Sequence, residues 1–239
     1  MANRIIHWHH AAPAAGAAKP PALAARALRH GIRTGLAALL LLAALPFWPT
    51  AALGAGLFGT VEFKRPLSSL PAWETVRNKN AEEPIFLKEK VFRKGVTWEK
   101  FQQEAAGKTG VELLRYVNAF WNRFPYREDK ENWGLPDYWA WPNAFLQKSG
   151  DCEDYAIIKY FTLKELGVPV EKMRIVVLRD TLRRLPHAVL AVYTDDDILI
   201  LDNLSNSVLS HTRLRNYSPQ FSFNEQGRWA HMKGKKISE

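Results

Sequence analysis

Apolar positions along the middle of the chain recur at helical spacing, and past residue 173 they recur at strand spacing. Thr97 can cap a helix from Trp98 to about Ala106, which Gly107 and Gly110 interrupt. A longer helix is predicted over 111–124, with Val111, Leu114, Val117 or Asn118, and Trp121 on one stripe and Pro125 as its stop. Residues 151–166 read as a third helix. Asp151 is its N-cap, Ala156, Ile157, Tyr160, Phe161 and Leu163 are its apolar positions, and Gly167 with Pro169 ends it. Three β-branched runs follow, RIVVLRD (174–180), HAVLAVYT (187–194) and ILILDN (198–203), and read as strands. Asp195, Asp196 and Asp197 turn the chain between the last two. Residues 126–149 form a loop crowded with Tyr126, Trp133, Tyr138, Trp139, Trp141 and Phe145, which needs a body to pack on and can wall a cleft. Residues 60–95, with Pro66, Pro71 and Pro84, read as irregular, and 204–239 are polar, anchored by Tyr217, Phe221 and Phe223. Helices first and strands afterwards predict an α+β domain with an antiparallel sheet.

The amino-terminal segment has a different pattern. A basic stretch, RHGIRTG, leads into ten uninterrupted apolar residues from Leu36 to Leu45, closed by Pro46 and Pro49 and followed by the small residues TAALGAG. This is the order of a secretory signal peptide, and the run is short of the roughly 20 apolar residues a membrane span needs. Cleavage near 52–56 is expected, with a retained anchor as the alternative. The expected organisation is therefore an export segment over 1–55, an irregular lead-in over 56–95 and a single domain over 96–239. Gly54, Gly56 and Gly59 spell a dinucleotide-binding pattern, but without the strand before it and helix after it that such a site requires.

Charge changes the picture little. The net charge is +9, yet residues 1–55 hold five Lys/Arg and no Asp or Glu, leaving 28 basic against 24 acidic in the rest. That margin argues against a nucleic-acid partner, whose binders carry a clustered basic footprint. The single cysteine excludes intrachain disulfides and Cys-based metal clusters.

That cysteine, Cys152, falls at the first turn of the third helix, where free N–H groups and the helix dipole favour a thiolate. A thiolate nucleophile needs a base beside it. His187 opens one strand and Asp202 closes the next. If residues 195–196 form the loop, paired residue numbers sum to 391, Asp202 lies opposite Val189, and its side chain shares a face with His187. A carboxylate there would fix the imidazole's tautomer and stabilise its charged form. The same three residues also read blandly, as a buried small residue, a loop histidine and a turn aspartate. Around Cys152 stand Asp151, Glu153 and Asp154. Acidic residues at a helix start are ordinary caps, yet beside a required thiolate they oppose its ionisation. A bound Ca²⁺, which takes oxygen ligands of this kind, would relieve the conflict.

The run DYWAWPNAFLQKSGDCEDYAIIKYFTLKELGVP, then HAVL, then LDN, resembles the bacterial transglutaminase-like cysteine proteinases, the LapG-type periplasmic proteases. The likeness spans roughly residues 95–224, including YSPQFSFN. It implies a papain/transglutaminase-like fold with helices on an antiparallel sheet, a nucleophilic cysteine at a helix start, and a triad of Cys152, His187 and Asp202. It implies Ca²⁺ held by Asp151 and Glu153, with Asp154 a further candidate. It also implies a periplasmic enzyme whose substrate is a large surface adhesin controlling biofilm attachment, sequestered by a membrane receptor for cyclic di-GMP. WPNAF at 141–145 departs from the family, where a threonine before the proline and a glutamate after it are expected. A transglutaminase-type acyl transferase, or a calcium-responsive binding module without turnover, are the competing readings.

Overall fold

The helices and strands expected between residues 97 and 203 all form in the computed structural model, which describes residues 56–93 and 95–233. The export segment expected over 1–55 lies outside the described residues. In chain order the elements are β1 (Thr60–Arg65), α1 (Pro71–Glu82), β2 (Val91–Arg93), β3 (Val96–Thr97), α2 (Trp98–Ala105), α3 (Gly110–Trp121), α4 (Asp129–Asn132), α5 (Pro142–Lys148), α6 (Cys152–Glu165), β4 (Met173–Asp180), β5 (Leu185–Tyr193), β6 (Ile198–Asp202), β7 (Ser205–Ser210), β8 (Tyr217–Phe223) and β9 (Arg228–Lys233). Seven strands form one sheet in the order β1-β9-β8-β4-β5-β6-β7, every neighbouring pair antiparallel, and β2 and β3 make a separate ribbon. The α+β reading with an antiparallel sheet therefore holds.

Local signals set the helix ends. Thr97 caps α2, its hydroxyl accepting the Lys100 N–H at 3.2 Å. Gly167, at φ +89°, takes the left-handed conformation that closes α6. α6 is buried from Asp154 to Leu163 on every side, because α3 and α5 cover it and β4, β5 and β6 run beneath it. A second, smaller core of Leu57, Val176, Leu178, Val189, Ala191, Ile200 and Tyr217 fills the opposite face of the sheet.

The irregular lead-in expected over 56–95 is corrected. β1 pairs with β9 from Thr60↔Lys233 to Arg65↔Arg228, and α1 is a full three-turn helix. Its prolines mislead: Pro71 stands at the first helical position, where its missing N–H loses nothing. Trp73 anchors α1, its ring edge-on to Tyr160 and Phe223 and its indole N–H donating to Asn224 O at 3.1 Å. The polar residues after 204 likewise form three strands. β7 is an edge strand, which explains its exposed, serine-rich first half.

Candidate active site

The β5–β6 hairpin has the register that the sequence allows. Leu190 pairs with Leu201 and Tyr193 with Ile198, each pair summing to 391, and the Thr194 N–H bonds Asp197 O across the turn. His187 Nε2 lies 2.9 Å from Asp202 Oδ1, both side chains buried. A carboxylate can only accept, so Nε2 carries the proton and Nδ1 is the nitrogen left as a base. Asp202 has further donors: the Leu204 N–H at 3.0 Å on Oδ1 and the Tyr217 hydroxyl at 2.5 Å on Oδ2. Burial opposes its ionisation, but the bond and charge of His187, with Leu204 and Tyr217, hold its carboxyl below the usual range. Beneath the pair, Lys159 is fully buried and its ammonium has no hydrogen-bond partner. Burial brings it down to about 7, against the attraction of Asp202.

Cys152 occupies the first position of α6 and shares a cleft of about 280 Å³ with His187. Asp137, Trp139, Glu153, Val177, Pro186, Ala188 and Phe221 complete its walls, so the cleft is mostly apolar with acid at one end. Among the described residues no hydrogen bond joins thiol to imidazole; the thiol donates instead to Glu153 Oε2 at 3.2 Å. Burial first, then the charges of Glu153 and Asp151, push the thiol well above its ordinary value, while the Ala188 backbone N–H works the other way.

The carboxylates here gather more closely than the sequence showed. Asp151 and Glu153 are joined by Asp129 and Asp137 from the aromatic stretch expected to be a loop, which instead carries α4 and α5; Asp129 opens α4. Single oxygens of Asp129, Asp151 and Asp154 lie within 4.8 Å of one another, as do those of Asp129, Asp137 and Glu153. Burial raises Asp151 to about 9 and Glu153 to about 7, with Glu153 adding to the effect on Asp151 and Asp154 to that on Glu153. Burial also raises Asp129. Asp129 Oδ1 and Asp151 Oδ1 are buried without a hydrogen-bond partner. Hard anionic oxygens, two of them orphaned, match what Ca²⁺ takes, so the residues present fit that ion.

Asp154 differs from its neighbours. Fully buried, it accepts the Ala140 N–H at 2.7 Å and the Asp151 N–H at 3.3 Å, tying the aromatic loop to the start of α6. Gly150 must lack a side chain for this, since a Cβ there would stand 2.0 Å from Asp154 Oδ2. Trp141 Nε1 and Asn143 Nδ2 both donate to Glu83 Oε2, at 3.0 and 2.9 Å, so these side chains bind the lead-in and not the cleft.

A thiol at a helix start and an imidazole held by a carboxylate, lining one cleft on an α+β frame, are the parts of a cysteine peptidase. The family described as bacterial transglutaminase-like cysteine proteinase matches residues 93–237, more than half of the chain. The chain belongs to that family and is a cysteine peptidase, with protein as its substrate. Among solved structures it is similar to LapG of Legionella pneumophila, at 37% identity over 58% of this chain and 77% of that one, with a TM-score of 0.50. The calcium-bound form of LapG matches at 30% identity over 70% and 92%, TM-score 0.51. Its EGTA-treated form matches at 34% over 59% and 81%, TM-score 0.50. No curated protein matches the chain.

Proposed function

We propose that the chain is a calcium-dependent periplasmic endopeptidase that uses Cys152 as nucleophile, His187 as base and Asp202 as orienting carboxylate. The observation that carries this is the shared cleft, with Cys152 at the start of α6 and His187 fixed through Nε2 by Asp202. His187 Nδ1 takes the thiol proton, and the thiolate attacks the peptide carbonyl carbon. The developing oxyanion meets the Cys152 backbone N–H, one of the first N–H groups of a helix and without an intrahelical acceptor. The imidazolium then protonates the departing amine. Water, deprotonated by the same nitrogen, releases the acid product and restores the thiol. Trp139, on the cleft wall, is the candidate for further contact with the oxyanion, since the Ala140 N–H is committed to Asp154 and the Trp141 indole to Glu83.

Asp151, Glu153, Asp129 and Asp137 would hold Ca²⁺, with Asp154 supporting them from the backbone side. The ion would supply positive charge where the residues themselves leave an excess of negative charge. With its carboxylate so engaged, Glu153 would cease to hold the thiol in its neutral form. The calcium-bound and EGTA-treated structures of LapG support this for the present chain through its family.

The basic, apolar and small-residue order of 29–56 supports export. Within the family's setting, the substrate is the amino-terminal region of a large surface adhesin, and the partner that restrains the enzyme is the periplasmic domain of a cyclic di-GMP receptor. The test is to incubate the mature protein with amino-terminal fragments of candidate adhesins, with calcium and with chelator, beside Cys152→Ala. Site-specific cleavage only with calcium and Cys152 is expected. Cleavage that chelation leaves untouched removes calcium from the account, and cleavage by Cys152→Ala removes the nucleophile. A labelled amine in the same reaction separates hydrolysis from transamidation.

A further inference from the structure

Asp202 and His187 share a neighbour that the mechanism above does not use. Tyr217 opens β8, two strands away from β5 in the sheet, and is 8% exposed. Its hydroxyl donates to Asp202 Oδ2 at 2.5 Å, while its ring meets the His187 imidazole edge-on, centroids 5.7 Å apart at 64°. One side chain thus touches both members of the pair. The geometry matters because the carboxylate's terminal torsion is broad and soft. His187 and the Leu204 N–H both pull on Oδ1, and Tyr217 is the side chain that holds Oδ2. A neutral hydroxyl fixes that oxygen without the full charge of a Lys or Arg, so Asp202 keeps its field on the imidazole.

Tyr217 is in turn backed by the lead-in. The Phe58 ring stands edge-on to Tyr217 at 5.9 Å and to His211 at 6.0 Å, and the Phe58 N–H donates to His211 Nδ1 at 2.8 Å. Phe58 adopts φ +53°, ψ +29°, a left-handed conformation rare for an aromatic residue. Such conformations persist where surrounding contacts over-determine them. Phe58, His211 and Tyr217 line a cavity of about 350 Å³ on this side of the molecule. Residues 56–92 lie outside the stretch that matches the family, yet this segment reaches the pair through a single ring.

We propose that Tyr217 is a positioning residue for the His187–Asp202 pair, holding the carboxylate through its hydroxyl and the imidazole through its ring, and that Phe58 of the lead-in seats it. The inference rests on the peptidase reading above. The charged and titratable groups that face Tyr217 are Asp202, Asp180 and Arg183, with His187 and His211 beside its ring.

The experiment compares the unmodified chain with Tyr217→Phe and Phe58→Ala in the presence of calcium. Four quantities are measured: the thermal midpoint, kcat and KM on an adhesin fragment, and the rate at which iodoacetamide alkylates Cys152 across about pH 5–8. Cys152 is the single cysteine, so alkylation reports on it and nothing else. Tyr217→Phe keeps the ring and removes the bond to a charged group, which predicts a roughly 10- to 100-fold fall in kcat. KM should stay near that of the unmodified chain, the thermal midpoint should fall by only a few degrees for the buried oxygen left without its donor, and the acid limb of the alkylation profile should move. Phe58→Ala should give a smaller loss of the same kind. If the unmodified Cys152 reacts no faster than free cysteine, the peptidase site falls. If it reacts fast and Tyr217→Phe changes neither kcat nor the profile, the role of Tyr217 alone falls. A loss in Tyr217→Phe that matches unfolding, with the profile of its folded fraction unchanged, would likewise make the residue merely structural.

Discussion

The two halves of the site are built differently. At the β5–β6 hairpin, Asp202 is buried, both its oxygens have donors, and its carboxyl lies below the usual range. At the start of α6, Asp129 and Asp151 each keep a buried oxygen without a partner, and Asp151 and Glu153 rise to about 9 and about 7. Burial opposes the charge at both places. At Asp202 the donors and the charge of His187 outweigh burial, whereas at the start of α6 burial comes first and neighbouring carboxylates add to it, even at Asp154 with its two backbone N–H donors. The hairpin half is complete in itself. The helix half, with its carboxylates unrelieved, favours the neutral thiol of Cys152.

The largest expected effect tests whether the helix half carries the nucleophile. Cys152→Ala should lower activity by about 10⁶ while leaving the circular dichroism spectrum unchanged. Next, Asp202→Asn would impair the complete half, and a loss of about 10⁴ in kcat is expected. A loss under tenfold would mean that the hairpin does not orient the base.

A smaller effect concerns stability. Without calcium, Asp151 and Glu153 bind protons more tightly folded than unfolded, so the stability they contribute is present below about pH 4. It is lost as pH rises through about 7 and about 9. Denaturation with chelator should show this decline. Calcium at a hundred times its dissociation constant should add about 2.7 kcal/mol and flatten the slope. Asp151→Ala with Glu153→Ala should abolish the calcium gain and remove most of this decline, leaving the parts set by Asp129, Asp154 and Lys159.

The smallest effect belongs to Lys159. Its folded value of about 7 lies below the unfolded one, so folding releases a proton at neutral pH. Its destabilising effect is present below about pH 7 and fades as pH rises towards about 10.4. Lys159→Met should be the more stable protein at neutral pH, with the gap narrowing in alkali. A gap that stays constant from neutral to alkaline pH would contradict the burial of an ammonium there.

Much of the hairpin half was legible in the sequence, because strand parity and an even turn fix which side chains share a face. His187 and Asp202 follow from that arithmetic. The helix half was legible only where its residues adjoin Cys152. Asp129, which opens α4, and Asp137 arrive from the aromatic stretch, at distances along the chain that no periodicity encodes, and burial of Asp129 is visible only in the fold. Asp154 looks like its acidic neighbours in sequence, yet it is occupied by two backbone N–H groups. The lead-in hid for another reason: Pro66 and Pro71 suggest a break, whereas Pro71 starts a helix and the preceding strand closes the sheet. Tyr217 reads as an apolar anchor, and nothing in its spacing reveals that its hydroxyl reaches Asp202.

In the proposed enzyme the carboxylates at the start of α6 suppress Cys152 until a cation takes their charge. The most direct measurement is the alkylation rate of Cys152 at neutral pH in the full chain, with calcium and with chelator. Fast alkylation with calcium, slow alkylation with chelator, and no response to calcium once Asp151 and Glu153 are both alanine are expected. Equal rates in calcium and chelator for the unmodified protein would contradict it.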